Sequence, residues 1–198
     1  MDAKITLMLD FSNLNKLTPK KGRILISEPF LEDEYFKRSI ILLCEHNNEG
    51  AFGFILNNMM KIELNELIEG VEIDGFNMSL GGPVQTSNLY YVHTIANELP
   101  GSAEILPGLW VGGDFEILKQ RILLKQISDH QIRFFLGYSG WSPNQLEEEM
   151  NQGAWFVSEL EAKEIMHANR KKSWNEVLAK MGGKFGMISN FPENPELN

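Results

Sequence analysis

A chain of 198 residues that is 43% hydrophobic has enough apolar material for a real core, as one large domain or two small ones, which excludes global disorder. Its net charge of −9 leaves no general basic face for DNA or RNA and none for an anionic membrane surface. The single cysteine, Cys44, cannot close an internal disulfide, and no apolar run approaches the roughly 20 residues of a spanning helix; with no basic start of a signal peptide, a cytoplasmic protein is expected.

Residues 1–22 read as an arm or a short helix, with Leu7, Leu9, Phe11 and Leu14 as its apolar positions and Pro19 and Gly22 as its stop. Arg23 to Ser27 is a strand ended by Pro29, and Leu31 to Arg38 reads as a helical turn. Ser39 to His46 is a nearly continuous apolar run, the pattern of a strand buried on both faces. Asn47-Asn48-Glu49-Gly50 is a turn by composition, and Ala51 to Leu56 returns as the hairpin partner. Leu64, Leu67 and Ile68 predict a short helix before Gly70, and Gly81-Gly82-Pro83 reads as a backbone hinge. Leu89 to Ile95 and Ile105 to Val111 are further strands, the second interrupted at Pro107-Gly108. Asp114 is placed to cap a helix whose stripe is Phe115, Leu118 and Ile122. Ser158 with Glu161 and Ser173 with Glu176 have the spacing of capping boxes for two later helices, separated by Asn169 to Lys172. The last helix carries Trp174, Val177, Leu178 and Met181 and stops at Gly182-Gly183.

The densest run of local signals is Gly137 to Trp155, GYSGWSPNQLEEEMNQGAW. Phe134 to Leu136 lead in as a strand, and Gly137 and Gly140 bracket an expected turn. Ser142 and Pro143 open a helix, with Ser142 and Gln145 as its capping box. Leu146 and Met150 share its inner face, and Gly153 ends it. Both Trp141 and Trp155 are expected to be largely buried. Ser142→Ala is expected to cost about 1 kcal/mol through loss of the cap, and Ser139→Ala less.

This run resembles the signature of the YqgE/AlgH family of bacterial proteins. Three other stretches resemble family motifs in the same order: Arg23 to Asn57, Gly81 to Val84 (GGPV), and Val111 to Asp114 (VGGD). The resemblance spans roughly Gly22 to Gly182. It implies a regulatory role in gene expression and brings no catalytic residues with it. The family motif includes equivalents of His46, Asn47, Gly53 and Asn57.

Several constellations carry chemistry on paper. Gly137-Tyr138-Ser139-Gly140 resembles the start of a nucleophile elbow, but Trp141 stands where the last glycine belongs, and His46, His93, His130 and His167 are all remote in sequence. Local bonding by Ser139 is the favoured reading. Cys44 and His46 fall two apart in a strand and so share a face by simple alternation, yet an inert buried thiol is favoured over a nucleophile. His46, Asn47, Asn57 and His93 fix turns on one reading and line a small-molecule pocket on the other. Gly112-Gly113-Asp114 before a helix offers N–H groups to an anion, although Asp114 already supplies a carboxylate there. Glu147, Glu148 and Glu149 point about 100° apart on a helix and read as a solvated face rather than a cation site. Arg170-Lys171-Lys172 is the only basic run and reads as solvated surface. No metal or nucleotide motif is present, so no cofactor is expected.

The expected fold is a single α+β domain over residues 23–183, with a mixed or largely antiparallel sheet and helices packed against it, preceded by the arm and followed by a tail over 184–198. The expected function is a non-enzymatic binding or interaction protein with a regulatory role. Its unknown protein or small-molecule partner meets His46, Asn47, Asn57, Gly81, Gly82, Tyr138, Ser139, Trp141 and Gln145. The alternatives are a transcriptional regulator acting through a partner and a hydrolase built on Ser139 or Cys44. Direct sequence-specific nucleic-acid binding and membrane binding are not expected.

Overall fold

The computed structural model describes residues 11, 13–62, 64, 75–76, 78–167 and 173–192. The strands are β1 Ile24–Ser27, β2 Ile40–Asn47, β3 Gly50–Ile55, β4 Met78–Leu80, β5 Val84–His93, β6 Ala103–Leu106, β7 Leu109–Val111, β8 Ile132–Trp141 and β9 Trp155–Ser158. The helices are α1 Phe115–Leu123, α2 Gln145–Asn151, α3 Ala162–His167, α4 Ser173–Met181 and α5 Gly183–Ile188. Among the described residues, nine strands form one sheet in the order β6-β7-β5-β8-β3-β2-β1-β9, with β4 joined to β8 off that path. The pairing is antiparallel apart from the parallel contact of β4 with β8. The fold is α+β, as the irregular alternation of strands and helices predicts.

β2 shows why the sheet sits centrally. Ile40, Leu42 and Cys44 enter one apolar layer, with Trp174, Val177 and Leu178 of α4 and Phe185 and Ile188 of α5. Ile41 and Leu43 enter another, with Trp141, Leu146 and Trp155. The first layer also gathers Val92, Ile105 and Leu109 from the far strands with Ile24 and Phe156 from the near ones, so the sheet rolls around it. A third cluster lies where Leu118 and Ile122 of α1 pack on Phe134 and Tyr91. Asp114 caps α1 as expected, its carboxylate accepting from the Ile117 N–H at 3.0 Å.

Several local expectations are corrected. The chain does not turn at Gly137 and Gly140; β8 runs straight through to Trp141. Gly137 is there because β8 meets the β4–β5 connection: its φ is +65°, and a Cβ on it would lie 2.7 Å from the Gly82 carbonyl oxygen. The expected hinge at Gly81-Gly82 is therefore a locked crossing. Gly81 donates to Leu136 O at 2.8 Å and accepts from Ile55 N at 2.9 Å, closing the gap between β3 and β4. The helical turn expected over 31–38 narrows to 33–37, where the Lys37 N–H donates to Asp33 O at 2.9 Å. The Ser158 box is out of register: α3 starts at Ala162, and Glu164 accepts from the Glu161 N–H at 3.1 Å. The second half of the Ile105–Val111 strand folds back, so Pro107-Gly108 is a hairpin turn between β6 and β7.

Both ends pack more than expected. Phe11 and Leu14 lie against the core, and Asn15 acts as a substitute strand. Its amide donates to Trp155 O at 2.8 Å and accepts from Val157 N at 2.8 Å, satisfying the outer edge of β9. At the other end, residues from 184 onward were expected to be tail; α5 instead buries Phe185 and Ile188. The expected arm positions Leu7 and Leu9, the 64–70 helix apart from Leu64, the Ser173 cap, the Arg170-Lys172 run and the last six residues lie outside the described residues.

Candidate functional site

The hairpin between β2 and β3 decides what faces what. Leu43 pairs with Gly53 but Glu45 pairs with Phe52, so one extra residue is inserted at Cys44. Such a bulge breaks simple alternation. His46 pairs with Ala51, which belongs to the α2-side layer, whereas Cys44 stays in the opposite one. The shared face expected for Cys44 and His46 does not exist. Cys44 is 3% exposed, and burial pushes its thiol far up from the ordinary value. His46 instead meets Glu147 of α2 at 2.8 Å.

Ser139 is fully buried and donates to Gly81 O at 3.0 Å. Among the described residues, no imidazole bonds to Ser139, so the elbow reading has no base there. A Ser–His contact does exist elsewhere, without any local signal in the sequence: His93 Nε2 lies 3.0 Å from Ser102 Oγ and 3.0 Å from the Gly112 carbonyl. A carbonyl only accepts, so Nε2 carries the proton and donates. Ser102 in turn donates to Leu99 O at 2.7 Å. This histidine is thus not a base toward its serine; the pair fastens the two ends of the β6–β7 hairpin, at Ser102 and Gly112, to β5.

His93 Nδ1 is buried without a hydrogen-bond partner, and burial lowers the ring's pKa from the ordinary value near 6.5. The depressed folded-state value means the unfolded chain takes up the proton first. Stability is therefore full above pH about 6.5 and falls as the pH drops from there toward the folded-state pKa. Denaturant midpoints between pH 7.5 and 5 are expected to show this loss in the wild type and a flatter profile in His93→Gln.

The other candidate residues separate into three places. Asn57 accepts from Ile40 N at 2.9 Å and donates to Arg38 O at 2.8 Å, pinning the entry to β2. Gly81, Gly82 and Ser139 lie in the locked crossing. Trp141, at the end of β8, and Gln145, at the start of α2, meet at Glu149: the Trp141 and Trp155 indoles both donate to Glu149 Oε2, at 2.9 and 2.7 Å, and Gln145 Nε2 donates to Glu149 Oε1 at 3.1 Å. Glu149 is thus no part of a solvated face. Only half of the capping box forms, with Gln145 Oε1 accepting from Ser142 N at 3.0 Å. The helix begins at Gln145 behind Asn144, and no side chain caps it.

The expected order of two serine variants is accordingly reversed. Ser142→Ala should stay within about 0.5 kcal/mol of wild type, because its hydroxyl makes no cap. Ser139→Ala should cost about 1 kcal/mol, the usual net value of a buried bond whose acceptor keeps another donor, here Ile55 N. Denaturant titration of the two variants checks the order.

Asn47, Tyr138 and Trp141 do meet, at an open cleft of about 650 Å³ between the β2–β3 hairpin, β5 and the end of β8. Its floor joins Tyr138 to Phe52 and Tyr90, which local sequence signals miss because the three residues sit on different strands. Phe52 and Tyr138 are in edge contact, 6.1 Å apart at 82°, and Tyr138 and Tyr90 likewise, 5.6 Å apart at 76°. Tyr90 OH donates to Gln85 Oε1 at 2.5 Å, in a bulge where β5 carries extra residues between Val84 and Leu89. Glu45 and Glu49 stand on the rim. Asn47 holds that rim, donating to Glu45 Oε1 and accepting from Glu49 N. Among the described residues, no group of three or more His, Cys, Asp or Glu side chains is placed to hold a metal ion. No described helix is long and apolar enough to cross a membrane.

Known proteins share both sequence and fold with this chain. A "UPF0301 protein" of Bacteroides thetaiotaomicron is 42% identical over 185 residues, 93% of this chain and 94% of the relative. One from Chlorobaculum tepidum is 37% identical over 179 residues, 90% of this chain and 96% of the relative. The crystal structure of protein DIP2367 from Corynebacterium diphtheriae superposes with a TM-score of 0.75 at 22% identity, covering 91% of this chain and 97% of that one. The solution structure of the AlgH protein from Pseudomonas aeruginosa gives 0.69 at 23% identity, over 90% of this chain and 98% of that one. At those identities the structures speak for the fold alone. The sequence pattern described as AlgH-like matches residues 24–186, from β1 to α5, and the chain belongs to that family.

Proposed function

We propose that this chain is a non-enzymatic binding protein of the cytoplasm, regulating through a partner, and that its ligand site is the cleft between the hairpin, β5 and β8. The observation that carries this reading is the cleft itself. It has a continuous aromatic floor, a charged rim and a volume within the usual range for ligand sites. The nucleophiles speak against a hydrolase: Ser139 is sealed against a carbonyl, and Cys44 is buried with its thiolate disfavoured. Titration of a fragment library, followed by heteronuclear NMR, is the test. Ligand-induced shifts should cluster at Phe52, Tyr90 and Tyr138. Hydrolysis of p-nitrophenyl esters should be equally slow in wild type, Ser139→Ala and Cys44→Ala. Turnover that either substitution abolishes would replace the binding reading with the enzymatic one.

A further inference from the structure

We infer that the cleft takes an organic cation, a guanidinium or alkylammonium group; this rests on the reading of the cleft as the ligand site. Three features converge on that chemistry. The rings of Phe52 and Tyr138, and of Tyr138 and Tyr90, stand nearly at right angles. Perpendicular rings make a corner in which a cation meets more than one aromatic surface, and the negative face of each ring attracts it. The rim adds two carboxylates, Glu45 and Glu49, and Glu45 is the cross-strand partner of Phe52 on the same face of the sheet. Among the described lining residues, none is Lys, Arg or His, so nothing there offers a positive charge to a phosphate or carboxylate ligand. An anion would meet two carboxylates and three aromatic rings.

The local backbone holds this arrangement ready. The bulge at Cys44 is what turns Glu45 to the side of Phe52. Gly140, opposite Phe52, leaves the neighbouring position empty, and the Tyr138 ring leans over it: a Cβ there would lie 3.1 Å from Tyr138 Cε2. The Tyr90 hydroxyl is tethered by its hydrogen bond to Gln85, which fixes the position of the ring beside the cleft.

The experiment titrates the full chain with choline, with its uncharged isostere dimethylbutanol, with N-acetyl-arginine amide and with inorganic phosphate, following amide and aromatic NMR shifts. Choline or the arginine amide should move Phe52, Tyr90 and Tyr138, with the isostere bound about tenfold more weakly and phosphate leaving the cleft unmoved. Preference for choline points to a free small cation, and preference for the arginine amide to a side chain on a partner protein; either supports the inference. Glu45→Gln with Glu49→Gln, both at exposed positions, should weaken the charged probes and leave the isostere unchanged. Tyr138→Phe should keep binding and Tyr138→Leu lose it. If the isostere binds the same residues as tightly as choline, the inference falls while the cleft remains a ligand site. If fragments of other chemistry shift these residues and the cations do not, the result is the same. If no probe and no fragment moves them, both readings fall.

Discussion

Trp155→Ala is expected to cost about 3–5 kcal/mol, a sizeable part of the stability of a typical domain. The ring is 2% exposed and sits where β9 and α2 close one face of the sheet. It makes edge contacts with Phe36 at 5.7 Å and Trp141 at 6.1 Å. Truncation removes those contacts and leaves a cavity that β9 is badly placed to fill. Its backbone is held on one side by β1, through the pairing of Ser27 with Trp155, and on the other by Asn15. A strand fixed on both edges relaxes little, which is the condition under which cavities are costly. Chemical denaturation should show a lower midpoint with an unchanged slope. A variant as stable as wild type would mean that the indole contributes no packing and serves a surface instead.

Much of the sheet was legible because its signals are local. The run IILLC in β2 is apolar at every position, and both faces of it are indeed covered. Asp114 stands where a cap belongs, and the Trp174, Val177, Leu178 stripe of α4 needs only helical spacing to be seen. What stayed hidden involves partners far apart in the chain. Asn15 looks like any polar residue in an arm, and its work is done 140 residues away. Gly137 announces special backbone, but a turn and a crossing ask for the same residue type, and only the position of Gly82 tells them apart. The bulge at Cys44 leaves no trace in an apolar pattern, yet it decides that His46 looks toward α2 and Glu45 toward the aromatic cleft. Of the candidate residues, Asn47, Tyr138 and Trp141 reach that cleft, and Phe52 and Tyr90 complete it from strands whose local patterns say nothing of each other.

Glu149→Ala should separate one glutamate from its neighbours in a way that the sequence EEE does not foretell. Glu147 reaches outward to His46, and Glu148 is exposed. Glu149 alone turns inward, where one carboxylate oxygen accepts both the Trp141 and Trp155 indole N–H groups. These indoles belong to residues only 6% and 2% exposed, so water is a poor replacement. A buried donor left without its acceptor costs about 1–3 kcal/mol, and two are orphaned at once, so the expected loss is about 3 kcal/mol. Glu147→Ala should cost less than about 1 kcal/mol, as surface ion pairs do. Glu148→Ala should lie within about 0.5 kcal/mol of wild type. Glu149→Gln keeps an acceptor oxygen and should recover part of the loss, which distinguishes lost hydrogen bonds from lost bulk. A cycle of Glu149→Ala with Trp155→Phe isolates the shared bond: the pair should be coupled by at least about 1 kcal/mol, since phenylalanine has no N–H to abandon. If Glu149→Ala and Glu148→Ala unfold at the same denaturant concentration, the indole donors are reaching water after all, and the carboxylate is not what joins α2 to β8 and β9.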